Sequence, residues 1–199
     1  MSRLVGYTRR VSTARPYHHG DLRRVLLEAA VEAIGQVGPA AVSLRDLARR
    51  AGVSHAAPAY HFGDKAGLLT AIAADGFERL GAALRDAYAR TGSFLEVGVA
   101  YVRFAVTHRA HFEVMFRPEL YRPDDPEVSR ARVASAALLY GPVGGSDPEQ
   151  MRAAVAAWSL THGLATLWLN HNLPRQLGDD PEQITREVAR YLSPTPPSQ

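Results

Sequence analysis

The run Ser43-Leu44-Arg45-Asp46-Leu47-Ala48-Arg49-Arg50-Ala51-Gly52-Val53-Ser54 decides the fold. Leu44, Leu47 and Ala48 stand at i, i+3 and i+4, one face of a short helix capped by Ser43. Ala48 is small, so a second helix can cross close above it. Gly52 reaches the left-handed backbone conformation that a tight turn between helices requires. Val53 plugs that turn, and Ser54 is placed to cap the next helix and aim its N-terminus outward. The layout is a helix-turn-helix, whose second helix suits the major groove; a plain helical hairpin is the bland alternative.

Outward from this run the sequence stays helical. Upstream, Leu22, Val25, Leu26, Ala29, Ala30, Ala33, Ile34 and Val37 form one apolar face, with Asp21 as the expected cap and Gly38-Pro39 as the stop. Downstream, a third helix is expected over 56–62 and a fourth from the cap Asp64 to about Arg90. Further helices are expected over 94–107, 110–116, 127–140, 149–170 and 181–192. The three prolines of 117–126 read as a loop, and 141–148 as a Gly/Pro linker. Runs of alternating β-branched residues are absent, so the expected class is all-α, about nine helices. The domains read as a basic flexible arm at 1–17, a three-helix head at 18–66, a helical bundle at 67–193 and a disordered tail at 194–199.

Of the 199 residues, 46% are hydrophobic and 22% charged, the balance of an ordinary globular chain. The absence of cysteine excludes disulfides, thiolate metal sites and a cysteine nucleophile, and fits a reducing cytoplasm. The most apolar stretch, 151–169, is broken by Arg152, Ser159, Thr161 and His162 and falls short of a membrane span. Charge is uneven: residues 1–65 carry +5 and residues 66–199 carry −2. A basic head on a mildly acidic body fits a polyanion partner, although a solvated face gives the same count.

Together, 43–54 and the following Tyr60-His61-Phe62-x-Asp64-Lys65-x-x-Leu68-Leu69 make residues 18–69 resemble the DNA-binding head of the TetR family. The resemblance implies a homodimeric transcriptional regulator that binds palindromic double-stranded DNA. It implies that Ser43 caps the second helix near a phosphate, with Leu44 and Arg45 beside it. By the same likeness, 55–61 is the recognition helix, with Ser54, His55, Ala56, Ala57, Tyr60 and His61 at the DNA, and Lys65 touches the backbone. Phe62 matches a core aromatic. A helix N-terminus with free amides and a hydroxyl suits a phosphate, and a lysine supplies a point charge for the same target.

Two positions depart from the family pattern. Ala59 stands where many members carry tyrosine, which leaves open whether Tyr60 or His61 makes that phosphate contact. Pro58, inside the recognition helix, is expected to restrict regular helix to one side. His55, Ala56 and Ala57 offer few donors, so thymine-methyl contacts and DNA shape are expected to carry much of the specificity. Arg3, Arg9, Arg10, Arg15, His18 and His19 give a basic arm that can reach the minor groove; a merely disordered tail is an equal alternative.

In the body, Trp158-Ser159-Leu160-Thr161-His162-Gly163 resembles the motif of a TetR branch named for Trp, His and Gly, and 104–116 is similar to that branch. The long helix is apolar nearly all round and must be covered on two sides, for which a second copy is the natural occupant. Leu164 is read as one of its outer positions. Tyr101, Phe104, His108, Phe112, Met115, Phe116, Trp158 and His162, with Trp168, can line a pocket for a small apolar or aromatic effector. Ordinary core packing is the competing reading, and for His162 the favoured one. His108 and His111 share a helix face, but without cysteine a metal site is not expected, and no cofactor is implied. An enzyme is the rival class: no G-x-S-x-G elbow, P-loop, dinucleotide fingerprint or HExxH is present. A regulator without effector is the other alternative.

Overall fold

A computed structural model describes residues 19–140 and 147–192, with side chains described for 22–140 and 147–191. The expected arm, most of the 141–148 linker and the tail lie outside the described residues. Nine α-helices occur among them, and no strand: α1 (His19–Ala41), α2 (Leu44–Ala51), α3 (Ala56–Phe62), α4 (Lys65–Thr91), α5 (Phe94–Thr107), α6 (Arg109–Met115), α7 (Pro126–Tyr140), α8 (Pro148–Leu169) and α9 (Pro181–Ala189).

Caps fix most boundaries. Ser43, Asp64, Ser93, Asp147 and Asp180 each turn a side-chain oxygen onto an amide of the first turn that follows. The expected cap Asp21 is overturned, because α1 already runs at His19. Gly38 does break that helix, with φ of 76°, leaving Pro39–Ala41 as a last short turn. Val37, expected on the apolar face, is exposed.

The head packs α1 on α2 and α2 on α3, around Leu26, Ile34, Leu47 and Phe62. In the body, α4 is the spine against which α5, α6 and α7 pack; α5 in turn carries α8 and α9. Helix α6 also packs on α1, so it joins the body to the head. Where α6 meets α4 the backbones come close. A Cβ on Gly76 would lie 2.5 Å from Met115 Sδ and 3.2 Å from His111 Cβ. Beside this contact His111 Nε2 meets Asp75 Oδ2 at 2.9 Å, and Arg79 Nε donates to the same oxygen at 2.6 Å. Burial pushes the Asp75 carboxyl up, but those two hydrogen bonds outweigh it and hold it below the usual carboxylate range.

Candidate functional site

The head places its helix-turn-helix as the spacing requires. Ser43 Oγ accepts from Asp46 N at 3.1 Å. Gly52 takes φ of 66°, and Val53 N–H reaches back to the Ala48 carbonyl at 3.1 Å, a Schellman-type stop. Leu47 and Ala48 are buried, while Ser43 and Arg45 face solvent. Asp46 binds both Arg49 and Arg50, whose hydrogen bonds hold its carboxyl low, and Arg50 also donates to Gln36 of α1. Arg45 has no partner among the described residues. Leu44 is half-buried.

Helix α3 corrects two expectations. Ser54 does not cap it: the Ala57 N–H that its hydroxyl would capture goes to the Ser54 carbonyl at 3.0 Å. The helix keeps its expected start at Ala56, but with His55 at the cap position and no side-chain cap bond. Nor does Pro58 split the helix. It falls in the first turn, where its missing N–H leaves no gap, and its ring is buried. Ser54, His55, Ala56 and Tyr60 face outward, and Tyr60 is 80% exposed. Ala57 and His61 are half-buried, and His61 sits edge-on to Tyr60. Of the two candidates for the phosphate contact, Tyr60 is the one aimed at solvent.

Helix α4 begins in a dense corner. Asp64 Oδ1 accepts from Gly67 N at 2.8 Å, and its Oδ2 takes a hydrogen bond from Arg122 at 2.8 Å. Arg122 N also donates to Thr70 Oγ1. Lys65 is not a free point charge as expected, because its ammonium donates to the Ala40 carbonyl and ties α4 to the end of α1.

In the body, Tyr101, Phe112, Phe116, Trp158 and His162 form one aromatic cluster. Trp158 Nε1 donates to the Tyr101 hydroxyl at 3.3 Å, and that hydroxyl shares a hydrogen bond with His162 Nδ1 at 2.8 Å. Burial pushes the Tyr101 phenol up and the His162 imidazole down, which favours the neutral form of both. Two expected members are elsewhere. Phe104 stacks on His108 at 4.8 Å along an outer groove with Arg79, Asp86, Arg90 and Arg103. The reason is local: His108 sits at the break between α5 and α6, where its ring stacks on Phe104 one turn earlier and lies edge-on to His111, which is itself turned to Asp75. Among the described residues no group of three His, Asp or Glu side chains could hold a metal.

Of this cluster only Phe116 and Trp158 reach a cavity of about 460 Å³ between α4, α6, α7 and α8, whose walls also hold Phe77, Leu80, Met115, Tyr121 and Tyr140; the expected ligand residues Tyr101, Phe112 and His162 do not line it. A second, of about 230 Å³, lies beyond Trp158 and Leu139, against α5 and α9. A third, of about 190 Å³, opens outside His162 and Phe116. From Val155 onward the outer side of α8 is apolar or small, with Val155, Ala156, Ser159 and Leu167 exposed and Leu160 and Gly163 half-buried; Arg152, one turn before Ala156, is exposed at its start. Leu164, expected on that side, is buried in the chain's own core.

Residues 26–72 match the model of bacterial regulatory proteins of the tetR family, and residues 94–192 that of a tetracyclin repressor-like C-terminal domain. The HTH-type transcriptional regulator BetI of Escherichia coli O45:K1 is 30% identical over 193 residues, covering 87% of this chain and 94% of that one. The chain belongs to the TetR family. A protein of unknown function from Rhodococcus sp. RHA1 is 36% identical, with a TM-score of 0.76 over 90% of this chain and 97% of that one. A TetR-family regulator from Rhodococcus RHA1 shares the fold at 20% identity, with a TM-score of 0.68 over 86% of this chain and 94% of its own.

As a TetR-family transcriptional regulator the chain carries its helix-turn-helix within the first matched segment. The second covers Trp158, His162 and Gly163 under another description, so the Trp-His-Gly branch is not carried further. TetR regulators rather than enzymes are its relatives, and no helix among the described residues is long and apolar enough to cross a membrane. The sequence reading missed Arg122, Gly67 and the α7 wall of the cavity. Only Gly67 left a sequence trace, as a glycine inside a helix, where propensity disfavours it, and that trace is weak because Gly35 and Gly163 are helical with open space around them.

Proposed function

We propose that this TetR-family regulator is a cytoplasmic homodimeric repressor that leaves a palindromic operator when a small, mainly apolar molecule fills the cavity between α4, α6, α7 and α8. The outward side chains of α3 read the major groove of each half-site, and Ser43, Arg45, Ser54, Tyr60 and Lys65 hold its phosphates. The outer faces of α8 and α9 pair with those of a second copy.

One observation carries the ligand reading. Tyr121 lines the cavity, and the next residue, Arg122, holds the Asp64 cap at the start of α4, directly after the recognition helix. A ligand that displaces Tyr121 therefore pulls on the corner that sets the angle of α3. Helix α6 gives a parallel route, because Met115 lines the same cavity and α6 packs on α1. Operators demand recognition helices one DNA turn apart, roughly 34 Å, so a shift of a few ångströms breaks register.

Operator binding is expected to fall steeply with salt, because each phosphate contact releases counterions. Arg45 is the clean probe, being exposed and without a partner among the described residues. In fluorescence anisotropy with labelled duplexes from the chain's genomic neighbourhood, Arg45→Ala should weaken all sequences alike and reduce the salt slope by about one. Absence of preference over random duplex at every salt concentration refutes the operator reading. Lys65→Ala should do the same and also lower the melting temperature, since the Ala40 carbonyl loses its donor.

A further inference from the structure

We propose that the ligand of the larger cavity is an amphipathic organic anion, a carboxylate on an apolar body, with Arg132 selecting its charge. This rests on the cavity reading above and names the ligand's chemistry. The walls are apolar apart from a few groups, and most of these are already used. The Tyr121 hydroxyl donates to the Met115 carbonyl at 3.0 Å, Ser135 Oγ to the Arg132 carbonyl at 2.9 Å, and Trp158 Nε1 to Tyr101. Two remain: the Arg132 guanidinium and the Tyr140 hydroxyl, neither with a hydrogen-bond or ion-pair partner for it among the described residues.

Arg132 is the one charged side chain among the described residues of this wall. In the outer groove beside Phe104 and His108 the arginines are neutralised, Arg79 by Asp75, Arg90 by Asp86 and Arg103 by Glu182, whereas Arg190 and Arg117, beside the two smaller cavities, have no carboxylate partner among the described residues. Arg132 has no such carboxylate, and no acidic residue lines the cavity to receive a cation. A planar guanidinium fits a carboxylate with two parallel hydrogen bonds. Burial pushes the Tyr140 phenol up, so it stays a protonated donor. Both project from α7, two turns apart, about 12 Å along the helix axis. Between them the floor is Phe77, Leu80, Met115 and Phe116. A ligand lying along α7 meets a cation at one end, a hydroxyl at the other and an apolar bed between.

The test compares decanoate, decanol and decyltrimethylammonium below the concentrations at which they self-associate. Tryptophan fluorescence reads binding, since Trp158 forms part of the wall, and operator release is read in parallel. The full chain and two variants, Arg132→Ala and Arg132→Glu, are used; Arg132 is exposed, and melting curves confirm that both fold. Decanoate should bind wild type more tightly than decanol and release operator. Arg132→Ala should weaken decanoate roughly fivefold, the scale of a part-exposed ion pair, and leave decanol unchanged. Arg132→Glu should reverse the preference toward the ammonium compound. If decanoate and decanol bind wild type and Arg132→Ala alike, the anion inference is overturned while the cavity reading stands. If none of the three binds or releases operator, the cavity reading falls and takes the inference with it.

Discussion

Replacing Leu167 with arginine should yield a folded monomer that has lost most of its operator affinity. Leu167 is 43% exposed on the outer face of α8. One and two turns back on the same face are Gly163 and Leu160, small or apolar and without a charge. A second copy of the same face gives a twofold contact in which each Leu167 is covered. An arginine there is buried without a partner in the dimer, at a cost of about 3–5 kcal/mol. In the monomer it stays in water, so folding is spared. Light scattering should then report a single 21.7 kDa species with unchanged helicity. Losing the second half-site removes the gain of bivalent binding, about a hundredfold or more in operator affinity. Leu164 cannot serve for this experiment, because it is 6% exposed and arginine there attacks the chain's own core. A Leu167→Arg protein that remains dimeric places the interface elsewhere.

The second large effect is expected at Gly67. An added Cβ would lie 2.0 Å from the Phe62 carbonyl oxygen and 3.0 Å from Arg122 Nη1. The arginine tip can move, but the carbonyl belongs to the last residue of the recognition helix. Relief requires α3 and α4 to part, which strains the Gly67–Asp64 cap bond and the Asp64–Arg122 pair. Forced overpacking of this kind costs about 1–3 kcal/mol. Gly67→Ala should therefore lower stability by that amount in denaturant titrations and abolish specific operator binding, because α3 no longer holds its angle. Wild-type stability and wild-type affinity together would show that the corner does not set the recognition helix.

The helices themselves were legible because their signals are local. The 94–107 boundaries follow from the Ser93 cap and a 3.6-residue period, and the structure keeps them; it also keeps 56–62, although without the Ser54 cap expected there. What failed depends on where backbone amides and neighbours go. Ser54 looked like a cap, yet its own carbonyl takes the amide its hydroxyl would need. Lys65 looked like a free cation, yet the Ala40 carbonyl, 25 residues earlier, holds it. His108 has the right spacing for the aromatic cluster, but the break between α5 and α6 turns it to the outer groove. Tyr101, Phe112, Trp158 and His162 do meet, because each lies on the inward face of a regular helix, and Phe116 joins them from the residue that ends α6. Arg122 and Arg132 carry no sequence mark at all; their roles come from a loop folding back on α4 and from the way α7 lies over the cavity.

The central claim is that two copies read a palindrome, and selection from a random duplex library tests it most directly. The full-length protein is incubated with the library at moderate salt, bound duplexes are recovered and sequenced over several rounds, and the enriched consensus is measured for affinity against salt. The account predicts a palindrome whose half-sites lie about ten base pairs apart or a multiple of that, bound by a dimer with an affinity that drops steeply as salt rises. Recovery of no consensus, or of one lacking twofold symmetry and bound by a single copy, would contradict it.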